Sequence, residues 1–115
     1  MTASELLTRA YAAFNARDVG AAMALMADDV TWANVSEGGF VHGRDGVRDH
    51  WHEQFEAVDP RIELLAVDEP GADGTVRASV HQVVRSHHGE TISDERLTHA
   101  YVIRDGLIHR MELAD

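Results

Sequence analysis

His99, Tyr101 and Asn34 are the side chains of this chain best suited to hold or move a proton. His99 and Tyr101 stand two residues apart, so an extended strand puts them on one face with Leu97 and Ile103, and puts Thr98, Ala100 and Val102 on the other. Burial among apolar neighbours keeps a histidine neutral and available as a base near pH 7, whereas a nearby carboxylate would shift it the other way. Trp32 and Asn34 share a face of an earlier strand. An indole wall beside an amide donor and acceptor suits a ring that carries a carbonyl or hydroxyl. The same residues would also serve a packed core, with His99 satisfied by a backbone carbonyl or a tyrosine hydroxyl.

Further polar residues follow on the last strands. Arg110 and Glu112 share a face, where the guanidinium either orients an acidic ligand or pairs with the glutamate. His81 and Gln82 point to opposite sides of their strand, so one of them faces inward, and the sequence leaves open which. The eight histidines do not form a metal motif. His50 and His52 diverge on a helix, where a ligand pair needs a spacing near four, and His42, His87 and His88 lack a matching carboxylate set. No glycine-rich phosphate loop or dinucleotide fingerprint is present. No metal and no cofactor is expected.

Twenty acidic against ten basic residues give a formal charge of −10, which repels nucleic acid and anionic membranes. The absence of cysteine excludes disulfides and thiolate chemistry. No run approaches the roughly 18 apolar residues of a membrane span, and the first residues do not read as a secretory signal. A soluble cytoplasmic protein of one domain, residues 1–115, is the expectation.

The elements that must position these side chains can be read from periodicity. Leu6, Leu7, Ala10, Tyr11 and Phe14 recur at helical steps over residues 3 to about 16. Asp18 can cap a second helix carrying Val19, Ala22, Met23 and Met26. A short strand holds Val30, Trp32 and Asn34, and Gly38, Gly39 and Gly43 mark a loop. A third helix from Asp45 turns Val47, Trp51, Phe55 and Val58 inward before Pro60. Residues 61–68, 74–86, 91–104 and 107–113 read as strands, and the turns at 86–90 and at Asp105-Gly106 make them antiparallel. Long strands in so short a chain must bend, and helices then cover the concave side.

This order, with the segments Tyr11-Ala12-Ala13-Phe14-Asn15-Ala16-Arg17-Asp18, Leu25-Met26-Ala27-Asp28-Asp29-Val30, Val41-His42-Gly43-Arg44-Asp45-Gly46-Val47 and Ile103-Arg104-Asp105-Gly106-Leu107-Ile108, resembles the cone-shaped domain of nuclear transport factor 2, ketosteroid isomerase and the SnoaL-like polyketide cyclases. The resemblance spans essentially the whole chain and is nearest to bacterial proteins labelled ketosteroid isomerase-like. It implies an α+β fold in which a strongly bent, mainly antiparallel sheet and three helices enclose an apolar pocket, and it implies a homodimer formed through the outer sheet face. The isomerase's oxyanion tyrosine, oxyanion aspartate and catalytic base fall on Ala10, His99 and Asn34, so none of the three is kept. Tyr11 adjoins the first of these positions, but one residue along a helix turns a side chain by about 100°.

The expected ligand is a small hydrophobic oxygenated molecule, with no nucleic acid or membrane partner. Two functions are open. One is acid–base isomerisation, dehydration or cyclisation carried by His99, Tyr101 and Asn34, with Trp32, Trp51, Tyr11, Phe14, Phe55, Arg110 and Glu112 around the ligand. The other is noncatalytic binding of a hydrophobic small molecule, or assembly.

Overall fold

The computed structural model describes residues 1–35 and 37–114. Helix α1 (Ala3–Asn15) begins at a reciprocal cap: the Thr2 hydroxyl accepts from the Glu5 amide, and the Glu5 carboxylate accepts from the Thr2 amide. This hydrogen bonding to Thr2, with smaller contributions from the charged amino terminus and Arg9, holds the Glu5 carboxyl below its usual range. Its apolar stripe is wide, burying Leu6, Leu7, Ala10, Tyr11, Ala13 and Phe14. Asp18 caps the short helix α2 (Val19–Met23) by accepting from the Ala21 amide.

Strand β1 (Met26–Ala33) follows, earlier than periodicity indicates, because Met26 is claimed by the sheet rather than by α2. It stands in parallel register with Ile108, its carbonyl accepts two bonds from the Arg44 guanidinium, and the neighbouring Leu25 carbonyl accepts from the Ile108 amide. Residues 40–42, expected in a loop, form the short strand β2 (Phe40–His42), paired antiparallel to β1. Helix α3 (Gly43–Ala57) starts two residues before Asp45. Gly43 makes that start with φ +76°, a conformation that costs glycine little.

Strands β3 (Asp59–Val67), β4 (Val76–Arg85), β5 (Thr91–Arg104) and β6 (Leu107–Ala114) run antiparallel in sequence. Pro60 lies within β3, which tolerates it because β3 is an edge strand. Asp105 and Gly106 both adopt positive φ, as a tight two-residue hairpin requires. The sheet order is β2-β1-β6-β5-β4-β3, with β1 parallel to β6 and every other pair antiparallel. It is therefore a mixed sheet that curls without closing. Breaks in register on β1, β3, β4 and β5 mark where it bends.

The helices pack on the concave face. Buried side chains from α1, α3, β1 and the inward positions of β4, β5 and β6 form a hydrophobic cluster, with Leu7, Met26, Val30, Val47, Val80 and Ile108 fully covered. None of the described helices is long and apolar enough to cross a membrane.

Candidate functional site

The concave face of the sheet and the helices α1 and α3 surround a cavity of about 410 Å³. That volume suits a small organic molecule. Tyr11 and Phe14 reach it from α1, Trp32 from β1, Trp51 from α3, His99 and Tyr101 from β5, and Met111 from β6. The aromatic side chains form a continuous wall: Trp51 meets Phe14 edge-on at 5.0 Å and Trp32 at 5.5 Å between ring centres, and Trp32 meets Tyr101 at 6.2 Å.

The polar end of the cavity is a chain of three side chains. The Tyr11 hydroxyl lies 2.7 Å from His99 Nδ1 and 2.6 Å from the Tyr101 hydroxyl. His99 is only 5% exposed and is the one buried polar or charged residue of the described core. Burial lowers its pKa from 6.5 to about 4, so the imidazole is neutral at physiological pH. Burial also raises both phenols above the ordinary tyrosine value; for Tyr11 this outweighs the opposing effect of its bond to Tyr101. All three groups are uncharged.

The second imidazole nitrogen faces the cavity. His99 Nε2 has no hydrogen bond to another described residue, and among the described residues no fully buried side-chain nitrogen or oxygen lacks a partner. Nε2 therefore keeps accessible surface, and His99 lines the cavity. The three side chains thus leave an imidazole nitrogen for a ligand beside the Tyr101 phenol.

Tyr11, expected around the ligand, lines the cavity and also carries the polar chain, a role the sequence reading did not give it. Its position is turned away from that of Ala10, yet both line the cavity, because α1 lies against the sheet along a face broad enough to bury the two together. A phenol on this helix spans the gap that a shorter side chain would leave.

Other expected residues lie elsewhere. Asn34 follows the end of β1 and is not among the cavity-lining residues. Its carboxamide oxygen accepts from the Glu37 amide, and its backbone pairs with Gly38 and Gly39, which makes it part of a turn. Arg110 and Glu112 bond to each other at 3.2 Å on the outer face, and the guanidinium covers the Phe40 ring. Neither reaches the cavity, because Met111 between them takes the inward position. Phe55 packs behind the wall against Phe14 and Trp51, with the Arg17 guanidinium stacked on its ring and paired with Asp59.

Gln82 is the inward member of its pair. His81 lies on the outer face, 2.6 Å from the Asp94 carboxylate. His50, Glu53 and Gln54 of α3 also line the cavity. Gln54 is four residues from His50, a helical repeat the sequence displays, but only the docking of α3 shows which face turns inward. Among the described residues no group of three or more histidine, aspartate or glutamate side chains is placed to hold a metal ion.

Comparison with solved structures returns this architecture repeatedly. TerC co-crystallised with polyporic acid is 25% identical, covering 96% of this chain and 88% of that one with a TM-score of 0.81. RV0760c from Mycobacterium tuberculosis, solved in complex with estradiol-17β-hemisuccinate, is 20% identical over 98% of this chain and 92% of its own, with a TM-score of 0.81. A candidate polyketide cyclase from Pseudomonas putida is 25% identical over 100% and 92%, with a TM-score of 0.73. No curated protein matches this chain. The model of the SnoaL-like domain matches residues 7–111, a span running from α1 to β6 and including every member of the polar chain, and the protein belongs to that family.

Proposed function

We propose that the cavity binds a small, largely apolar molecule through a carbonyl or hydroxyl oxygen, and that His99, Tyr11 and Tyr101 move a proton on it in an isomerisation, dehydration or cyclisation. The observation that carries this reading is the Tyr11 hydroxyl held between His99 Nδ1 and the Tyr101 hydroxyl. One hydroxyl between two partners couples their roles. If His99 carries its proton on Nδ1, that N–H donates to Tyr11, the Tyr11 O–H donates to Tyr101, and the Tyr101 O–H is left to donate to a ligand. His99 Nε2 then presents a lone pair. If the proton sits on Nε2 instead, Nδ1 accepts from Tyr11, Tyr11 accepts from Tyr101, and Nε2–H becomes the donor offered to the ligand.

The first arrangement combines a base with an oxyanion donor. Nε2 takes a proton from the carbon next to a ligand carbonyl, the C–H electron pair moves into an enolate, and the Tyr101 O–H stabilises the developing oxygen charge. Return of the proton from Nε2 to a different carbon completes an isomerisation with no net change in atoms. The apolar aromatic wall strengthens such a bond by excluding water. Ligands named for TerC and RV0760c, polyporic acid and estradiol-17β-hemisuccinate, are consistent with a small-molecule cavity of this kind.

Noncatalytic binding is the second reading, and the low pKa of His99 favours it. A base whose conjugate acid titrates near 4 pulls weakly on a carbon acid, although the same chain still orients an oxygen. A panel of cyclic ketones and phenols, screened by thermal shift and then followed by NMR for deuterium uptake next to the carbonyl, separates the two. Binding that weakens about fivefold in Tyr11→Phe supports the site, since one good hydrogen bond is worth roughly 1 kcal/mol. Deuterium uptake lost in His99→Gln supports turnover, whereas binding without uptake supports the second reading. Failure of the whole panel to bind overturns both.

A further inference from the structure

We infer that the cavity is built for a ligand oxygenated at both ends, with one end on the His99, Tyr11 and Tyr101 chain and the other on the carboxamides of Gln82 and Gln54. This rests on the binding reading above and adds the shape and chemistry of the substrate class. His99 stands opposite Ala78 in the register between β4 and β5, whereas Gln82 stands opposite Glu95. The two poles are thus four residues apart along β4, roughly 13 Å at about 3.3 Å per residue. Val80, between them on the same face, is fully buried, and Phe14, Trp51 and Ile62 line the space. The cavity therefore runs from a polar end across an apolar middle to a second polar end.

The second pole is unspent. The side chains of Gln54 and Gln82 have no hydrogen-bond partner among the described residues, both are half-buried, and both line the cavity from opposite walls, α3 and β4. A carboxamide offers donor and acceptor together and can rotate to match a hydroxyl or a carbonyl. An apolar ligand end would desolvate these groups and return nothing. Among the described residues no arginine or lysine lines the cavity, and the Glu53 carboxylate does, so the second group on the ligand is neutral. The class that fits is a rigid, two-ring compound with a neutral hydroxyl or carbonyl at each end.

Calorimetric titration of 4,4′-dihydroxybiphenyl and 4-hydroxy-4′-methylbiphenyl tests this, because the probes differ only in whether the second end can hydrogen-bond. The wild-type protein is expected to bind the diol about tenfold more tightly, beyond the twofold statistical advantage of its symmetry. Gln82→Leu with Gln54→Leu is expected to erase that preference, weakening the diol and tightening the methyl probe, whose apolar end then desolvates no carboxamide, and a near-native Tm checks that the double variant is folded. Equal affinities in the wild type, or a preference that survives the double substitution, overturn the inference. Tyr11→Phe reports on the other pole: if it leaves the methyl probe unchanged, the binding reading fails at the His99 end, and the comparison between probes still reads the Gln82 end separately.

Discussion

At the scale of residues, the defining property of the site is that a titratable group has been placed where charge is disfavoured. His99 has its folded pKa lowered from 6.5 to about 4 by burial. The unfolded chain therefore binds the proton more readily, and stability rises with pH wherever the two forms differ. The contribution is fully present above pH 6.5 and is lost as the pH falls from there through about 4, amounting to on the order of 3 kcal/mol. Denaturant melts of the wild type and His99→Gln across that window should show the wild type losing more stability on acidification, because glutamine does not titrate. Parallel losses in the two proteins would mean that His99 titrates normally in the fold. The geometry of Tyr11 explains why the histidine tolerates burial: its one hydrogen-bond partner among the described residues is a neutral hydroxyl that donates or accepts as the tautomer demands.

At the scale of elements, the cavity depends on how α1 is pinned to the edge of the sheet. Asn15, at the last turn of α1, donates to the Ile62 carbonyl at 2.7 Å and accepts from the Ile62 amide at 2.9 Å, so its carboxamide acts as one more strand residue beside β3. Ile62 itself lines the cavity, and the same helix carries Tyr11 and Phe14. Asn15→Ala should lower stability by about 1–3 kcal/mol, measured by urea denaturation, since it strands a partly buried backbone donor and acceptor. Asn15→Asp should cost at least as much, because a carboxylate keeps the acceptor but faces the Ile62 carbonyl with no donor. A loss below about 0.5 kcal/mol in both would show that water replaces the side chain and that α1 is held by packing alone. The hairpins of β4 to β6 were legible in the sequence because alternation and the Asp105-Gly106 turn are local signals. Strand β2 and the early start of β1 were not, since both exist through pairing with residues far along the chain.

At the scale of the whole molecule, we propose that assembly uses the outer face of the sheet. Alternation along β5 turns Thr98, Ala100 and Val102 outward, but they do not make the bare apolar patch that the sequence suggests. Arg77 and Glu112 stand directly beside Ala100, Arg110 stands beside Val102, and Ala100 is only 5% exposed. Homodimerisation through this face remains our expectation, now with a polar, charge-paired interface whose strength depends on salt. Light scattering over a wide protein range should give twice the chain mass at low ionic strength, with Ala100→Glu shifting it toward the single chain. A single-chain mass at every concentration would remove the expectation.

Sequence alone determined the three helices and the strands other than β2, the shared face of His99 and Tyr101 on β5, the aromatic residues on the apolar faces of α1, β1 and α3, and the absence of cysteine chemistry. Each follows from composition or from a period of two or 3.6 residues, which the order of side chains displays directly. Tertiary structure decided the rest: that Tyr11 rather than Asn34 joins His99, that Gln82 rather than His81 turns inward, and that Arg110 and Glu112 satisfy each other outside. Those outcomes depend on how α1 lies across the sheet, where β1 ends and where the strands bend, and such placements arise from packing between segments as much as 90 residues apart.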